Sequence, residues 1–162
     1  MSRARIVVAA LSLSAAAFVG ILTREGYTTG AVIPTEGDVP TVGFGTTEGV
    51  KMGDVTTPVK AVQRALTDTA KYEGALKRCV TAPLNQTEYD VYVDLSYNIG
   101  SSAFCSSTIV KRLNTGDYRG ACDAILLFKY AAGYDCSTPG NKRCAGLWAD
   151  RKRVHAQCIG AQ

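Results

Sequence analysis

With 162 residues, 46% of them hydrophobic and 20% charged, the chain has material for one folded domain or two small lobes sharing a core, which excludes a disordered segment. Its net charge of +4 suits solubility or attraction to an anionic polymer, but the basic residues are scattered without interleaved aromatics, which argues against nucleic acid. A single histidine, His155, and the lack of C-x-x-C or Cys/His spacing argue against the common zinc sites and His-based triads, so no metal or cofactor is expected.

The chain opens on Arg3 and Arg5, followed by the uncharged run Ile6–Leu22. Residues 1–23 therefore read as an export or signal-anchor segment whose basic end stays cytoplasmic. At 17 residues the run is at the lower limit for a bilayer span, and Ala, Ser and Gly fill eight of its positions. Three readings are open: a signal peptide cleaved near Ala15-Ala16-Ala17, a permanent anchor, or a marginal span that inserts and later leaves the membrane. Residues 24–162 form the exported domain. Its six cysteines (79, 105, 122, 136, 144 and 158) all lie there, an even count that predicts three disulfides in an oxidising compartment.

Glu25-Gly26 closes the apolar helical run with a carboxylate and a glycine stop. Short β-prone pieces at Ala31–Ile33 and Val39–Phe44 flank the turn Thr35-Glu36-Gly37-Asp38, which predicts a hairpin or a three-stranded sheet. Gly43 and Gly45 allow close backbone approach, for instance by a sugar chain. Thr57-Pro58 reads as an N-cap and first helical position, and Val59, Val62, Leu66 and Ala70 mark the apolar face of a helix reaching about Cys79. Asn85-x-x-Glu88 predicts a capping box before a helix carrying Val91, Leu95 and Ile99. Shorter helices follow from Ser107 and from Asp117. A polar loop over Gly133–Gly146 precedes a last helix with Leu147, Arg151, Val154 and Cys158. The pattern is α+β, mainly helical, with a small β-lobe near the N-terminus.

Several pieces then stand in a telling order: Arg24-Glu25-Gly26, Pro40-Thr41-Val42-Gly43-Phe44-Gly45, Leu95-Ser96-Tyr97-Asn98-Ile99-Gly100, Ser107-Thr108-Ile109-Val110, Asn114-Thr115-Gly116-Asp117 and Gly146-Leu147. Together they resemble bacteriophage-type lysozymes, the endolysins of the glycoside hydrolase class. The N-terminus resembles that of the signal-arrest-release subgroup. The resemblance implies a two-lobed lysozyme-like fold with a small β-hairpin sheet and a long connecting helix. It also implies hydrolysis of the β-1,4 bond between N-acetylmuramic acid and N-acetylglucosamine in peptidoglycan.

On that resemblance Glu25 is the general acid, its pKa raised by partial burial against Ile21, Leu22 and Tyr27. Thr41 takes the place of the threonine that positions a water beneath the sugar ring. The family's aspartate has no counterpart: counting forward from Glu25 gives Pro34, and counting back from Thr41 gives Thr35. Asp38 is the leading substitute and Glu36 the other, with a water held by Thr35 and Thr41 as a further option. A water between the two groups implies inversion. Asn98 can line the cleft or cap its helix, and Arg151 is expected to be solvated, not paired to Glu25.

The resemblance also favours keeping residues 1–23, since cleavage after Ala17 leaves under two turns of helix before Glu25. The expected partners are peptidoglycan strands and, before release, the host inner membrane, with the domain in the periplasm. No cysteine lies in the membrane-prone run, so caging by disulfide exchange is not expected. A lytic transglycosylase or a non-catalytic peptidoglycan-binding domain are the alternatives. Among disulfides, Cys136–Cys144 is the easiest to close. Cys105–Cys122 joins neighbouring short helices and leaves Cys79–Cys158, although six cysteines allow fifteen pairings.

Overall fold

A computed structural model describes residues 4–34 and 37–162. The chain divides into two compact units: Leu13–Gly74, and Ala75–Gln162 joined by the stretch through Ser12. The helix α2 (Pro58–Cys79) begins in the first and ends in the second. The chain is mainly helical with small antiparallel sheets, as its sequence pattern predicts.

In the first unit the apolar run does not form one long helix. Ser14 caps α1 (Ala15–Glu25) by accepting the Ala17 amide, and Gly26, at φ 72°, ends it. Ile21 is the buried residue of this helix, 1% exposed. The strands β1 (Thr28–Val32) and β2 (Thr41–Gly43) pair antiparallel. Residues 54–56 bond to the other side of β1 through Ala31 N to Asp54 O and Thr56 N to Thr29 O, both 2.8 Å.

The buried face of α2 in this unit is not the expected one. Val59 and Leu66 are 69% and 58% exposed, Val62 and Ala70 are also exposed, and Ala61, Ala65 and Thr69 are buried instead. The cause is the backbone of β2: a Cβ placed on Gly43 would stand 2.9 Å from the Ala61 Cβ. A helix face lying that close to a strand must carry small side chains, so the larger ones turn outward. The start of α2 is as expected, with Thr57 Oγ1 accepting the Lys60 amide.

The second unit holds the larger core, including Leu76, Leu84, Tyr89, Tyr92, Val93, Phe104, Ile109, Leu113, Ile125 and Val154. The helix α3 (Gln86–Ile99) starts with the predicted capping box between Asn85 and Glu88 and ends at Gly100. Then come α4 (Ser101–Cys105), α5 (Thr108–Asn114) capped by Ser107, α6 (Tyr118–Ala124) capped by Asp117, and α7 (Ala145–Gly160). A short hairpin, β3 (Tyr130–Ala131) and β4 (Tyr134–Asp135), leads into the loop expected over Gly133–Gly146, with β4 inside those bounds. His155 lies against Asp123 at 2.9 Å on the last helix.

Three disulfides form: Cys79–Cys105, Cys122–Cys158 and Cys136–Cys144. The local pair is the expected one, and the other two are exchanged. Cys122 on α6 meets Cys158 on α7, two packed helices, and the end of α2 brings Cys79 to Cys105 on α4. Nearness in sequence misled here, because α6 pairs its buried face with the last helix.

Beside the Cys136–Cys144 loop, Asp135 accepts Lys129 Nζ at 2.8 Å and the Ser137 hydroxyl and amide at 2.6 and 2.9 Å. The Lys129 ammonium and then Ser137 hold its carboxyl down at about 2. A depressed carboxylate pKa stabilises the fold above the unfolded value, near 4, and that contribution is lost as pH falls toward 2. The Ser137 amide resonance should therefore titrate with a midpoint near pH 2 and stay flat in Asp135→Asn. A midpoint near 4 would contradict this arrangement.

Candidate active site

Glu25 is the last residue of α1, and the chain turns at Gly26 directly into β1. The sheet register sets Thr28 opposite Gly43 and Val32 opposite Thr41. Four steps along β1 thus face two along β2, and the surplus is absorbed as an irregularity inside β1. Gly43, Phe44 and Gly45 form the tight turn after β2, closed by Val42 N to Thr46 O and Thr46 N to Val42 O at 3.0 and 3.1 Å. Gly43 and Gly45 have φ of 67° and 80°. These glycines serve the turn and the contact with α2; the approach that Gly43 permits is to Ala61.

Around this turn, the Tyr27 and Phe44 rings lie 5.3 Å apart, and the Tyr27 hydroxyl donates to Thr56 O. Thr46 is buried and donates to Asp68 Oδ2 at 2.9 Å, which ties the turn to α2. Glu48 pairs with Lys71, and its carbonyl accepts from Arg64, so the following loop is fixed to the same helix.

Glu25 is exposed at the helix end, whereas the expectation was partial burial; Ile21, one turn earlier, takes the buried place. Tyr27 is exposed as well, packed on Phe44. The Thr41 hydroxyl donates to Val39 O at 3.1 Å, which commits its proton and leaves oxygen lone pairs that can accept from a water. Asp38 is exposed in the connection between the strands. Thr35 and Glu36 lie outside the described residues.

One neighbour was not visible in sequence. Tyr72, on α2, has its phenol pKa raised by burial first, then by Asp68, with Glu25 adding in the same direction. The α2 helix therefore places a proton-retaining phenol within the field of Glu25, and helical periodicity alone does not single it out.

In the other unit, Arg151 is buried, contrary to the solvated reading. It donates to Asn98 Oδ1, to Phe128 O at 3.1 Å and to Asp150 at 2.9 Å. Burial pulls its pKa down and Asp150 pushes it up, while Asn98 acts as its acceptor and Gly100 caps α3. Among the described residues no cluster of histidine, cysteine or carboxylate side chains could hold a metal.

The family described as Phage lysozyme matches residues 23–153. The endolysin of Salmonella phage P22 is 39% identical over 98 residues, covering 57% of this chain and 67% of that protein. The SAR-endolysin of Pseudomonas phage phiKMV is 36% identical over 114 residues, 70% of each chain. The crystal structure of a P22 lysozyme mutant superposes with a TM-score of 0.75 at 32% identity, covering 92% of this chain and 99% of that one. The chain belongs to the phage lysozyme family. It is thus a peptidoglycan-hydrolysing glycosidase with a lytic role.

The contact at Gly43 is testable by substitution. Gly43→Ala must carry a side chain at positive φ, which costs about 1–2 kcal/mol, and must also displace α2. It should therefore destabilise by about 2 kcal/mol or more in denaturant unfolding. Gly49→Ala, at φ 73° with nothing within 4 Å, should show only the backbone cost. Equal losses in the two variants would contradict the close approach.

Proposed function

We propose that this enzyme is a muramidase that cuts the β-1,4 bond between N-acetylmuramic acid and N-acetylglucosamine. Glu25 protonates the leaving sugar oxygen. The carrying observation is the continuous path from Glu25 through Gly26 into β1, with Thr28 registered on Gly43. That path places a carboxylate at a helix end beside a sheet that carries Thr41, an arrangement suited to an acid and a held water.

Glu25 is exposed in the free protein. A glycan lying over it would supply the desolvation that raises a carboxyl pKa and keeps the proton available. Thr41, with its proton engaged by Val39, accepts a hydrogen bond from the attacking water and orients it. A threonine hydroxyl is not a base, so the water's proton goes to Asp38 in this reading. Asp38 belongs to the same inter-strand connection and is the nearest described carboxylate in sequence to Thr41.

The protein is exported by its N-terminal segment, held at the inner membrane and released into the periplasm. Support comes from the basic start, the apolar run, and relatives named SAR-endolysin from phages phiKMV, Mu and P21. Among the described residues no helix is long and apolar enough to cross a membrane.

Clearing of purified cell walls tests the assignments. Glu25→Gln should lose about a thousandfold in rate, the usual range for removing a general acid, with the fold intact by circular dichroism. Thr41→Ala should lose about tenfold or more, and Asp38→Asn about a hundredfold. Full clearing by Glu25→Gln would overturn the acid assignment. Unchanged clearing by Asp38→Asn would remove Asp38 as the base and leave Glu25 in place.

A further inference from the structure

The first unit holds a cavity that the catalytic assignments leave unused. It has a volume of about 550 Å³ and lies between the loop after β2 and the start of α2. That size is within the range of small-ligand pockets, about 300–1,000 Å³. Val42 and Gly43 of β2 and Ala61 of α2 line it, together with Asp54, Lys60 and Arg64. Glu25, Thr41 and Asp38 do not.

The walls are held by hydrogen bonds. The Lys51 amide donates to Asp54 Oδ2 at 2.8 Å, and the Asp54 amide donates to Lys51 O at 3.1 Å. The bonds from Ala31 to Asp54 and from Thr56 to Thr29 fasten the same stretch to β1. Arg64 Nη2 donates to Glu48 O, so the earlier part of the loop is tied to α2. A site built in advance avoids the ordering cost of binding.

Its charges are unevenly satisfied. Lys60 and Arg64 stand four residues apart on α2, which makes them repelling neighbours on one helix face. The first turn of α2 has no acidic residue to offset them. Glu48 is paired with Lys71, and Asp68 is shared between Lys71 at 3.2 Å and Arg64 Nε at 3.9 Å. Among the described residues that leaves the Lys60 ammonium and Arg64 Nη1 without a hydrogen-bonded anion. Asp54 Oδ1 likewise accepts no bond among the described residues.

The cavity thus offers donors on two cations and an acceptor on one carboxylate. A phosphate would be drawn to the cations and repelled by Asp54. A ligand with both a carboxylate and an ammonium matches both signs. Val42, Val50 and Val55 supply apolar lining for the carbon chain between them.

We propose that this cavity binds a peptide stem of peptidoglycan, with a carboxylate on Lys60 and Arg64 and an amine on Asp54. The proposal rests on the peptidoglycan-hydrolysing activity, whose substrate carries such stems on its glycan. Because β2 forms one wall, a bound stem lies against the strand that carries Thr41. The site selects glycan that bears stems, and it acts through binding, not through the bond-breaking step.

Titration of the full chain with the tripeptide alanyl-γ-glutamyl-diaminopimelate, which has free carboxylates and a free amine, tests this directly. Binding should saturate and shift the amide resonances of residues 42, 43 and 53–56. Lys60→Gln should weaken it about tenfold, the usual scale for a hydrogen bond to a charged group, and added salt should weaken it in the wild type. Lys60 is exposed, so the variant keeps the buried contacts of the fold. No saturable binding, shifts confined to other residues, or equal affinity in the variant would overturn the site. Inorganic phosphate binding there more tightly than the tripeptide would overturn the peptide assignment.

A second arm compares wall glycan with and without its stems. The wild type should favour the stem-bearing form in kcat/KM, and Lys60→Gln should lose about tenfold of that preference. Equal preference in the two proteins would overturn the proposal, while cleavage by both would leave the muramidase reading standing. The titration involves no cleavage, so its result is separate from that reading.

Discussion

The closeness of the β2 backbone to α2 is the constraint on which the first unit depends. Gly43 stands where any side chain would collide with Ala61, so the strand is glycine and the helix face is alanine. With that contact go the outward-facing Val59, Val62 and Leu66, the half-buried Thr46–Asp68 bond and the anchoring of the next loop through Glu48. Thr28 pairs with Gly43, so the contact also fixes where β1 begins, and Glu25 lies three residues before it. A small sheet with few large apolar side chains is thus held by backbone proximity and side-chain hydrogen bonds more than by buried area.

The second unit is organised differently. Its core contains large fully buried side chains, and two disulfides tie its helices together: α6 to α7, and the end of α2 to α4. Within it Glu88 performs an unusual combination of tasks, capping α3 while receiving Arg5 and Gln162 from distant parts of the sequence. A capping-box glutamate is ordinarily at the surface, where water satisfies its charge. Here the fold buries the carboxylate and sets against it a guanidinium from the N-terminal stretch. The same residues that read as a membrane signal therefore serve the folded enzyme as structure.

Much of this was legible in the sequence where one local rule was enough. Asn85-x-x-Glu88, Ser107, Asp117 and Thr57-Pro58 marked helix starts, and Glu25-Gly26 marked a helix end, because capping is a matter of a few neighbouring atoms. The buried face of α2 is not legible in its periodicity, which finds the large residues and cannot see that the neighbour is a bare backbone. Sequence proximity favours Cys105–Cys122, whereas the α6–α7 packing joins Cys122 to Cys158. Arg151 looked solvated because a lone arginine usually is; its burial depends on Asn98, Phe128 and Asp150 converging from separate segments. Arg5 signalled only membrane topology, and its pairing with Glu88 spans 83 residues.

The candidate site follows the same division. Short motifs mark Glu25 and Thr41, whereas the electrostatic influence of Glu25 on Tyr72 depends on how α2 lies in the unit. No aspartate stands at the spacing that the resemblance implies, so in the proposed mechanism Glu25 is the one assignment common to every version. That chemistry is read most directly from the bond it leaves behind. When purified peptidoglycan is digested in heavy-oxygen water and the fragments are weighed, the new ends should be reducing N-acetylmuramic acid carrying one solvent oxygen. Anhydro-muramic ends, or reducing ends on N-acetylglucosamine, would contradict the account.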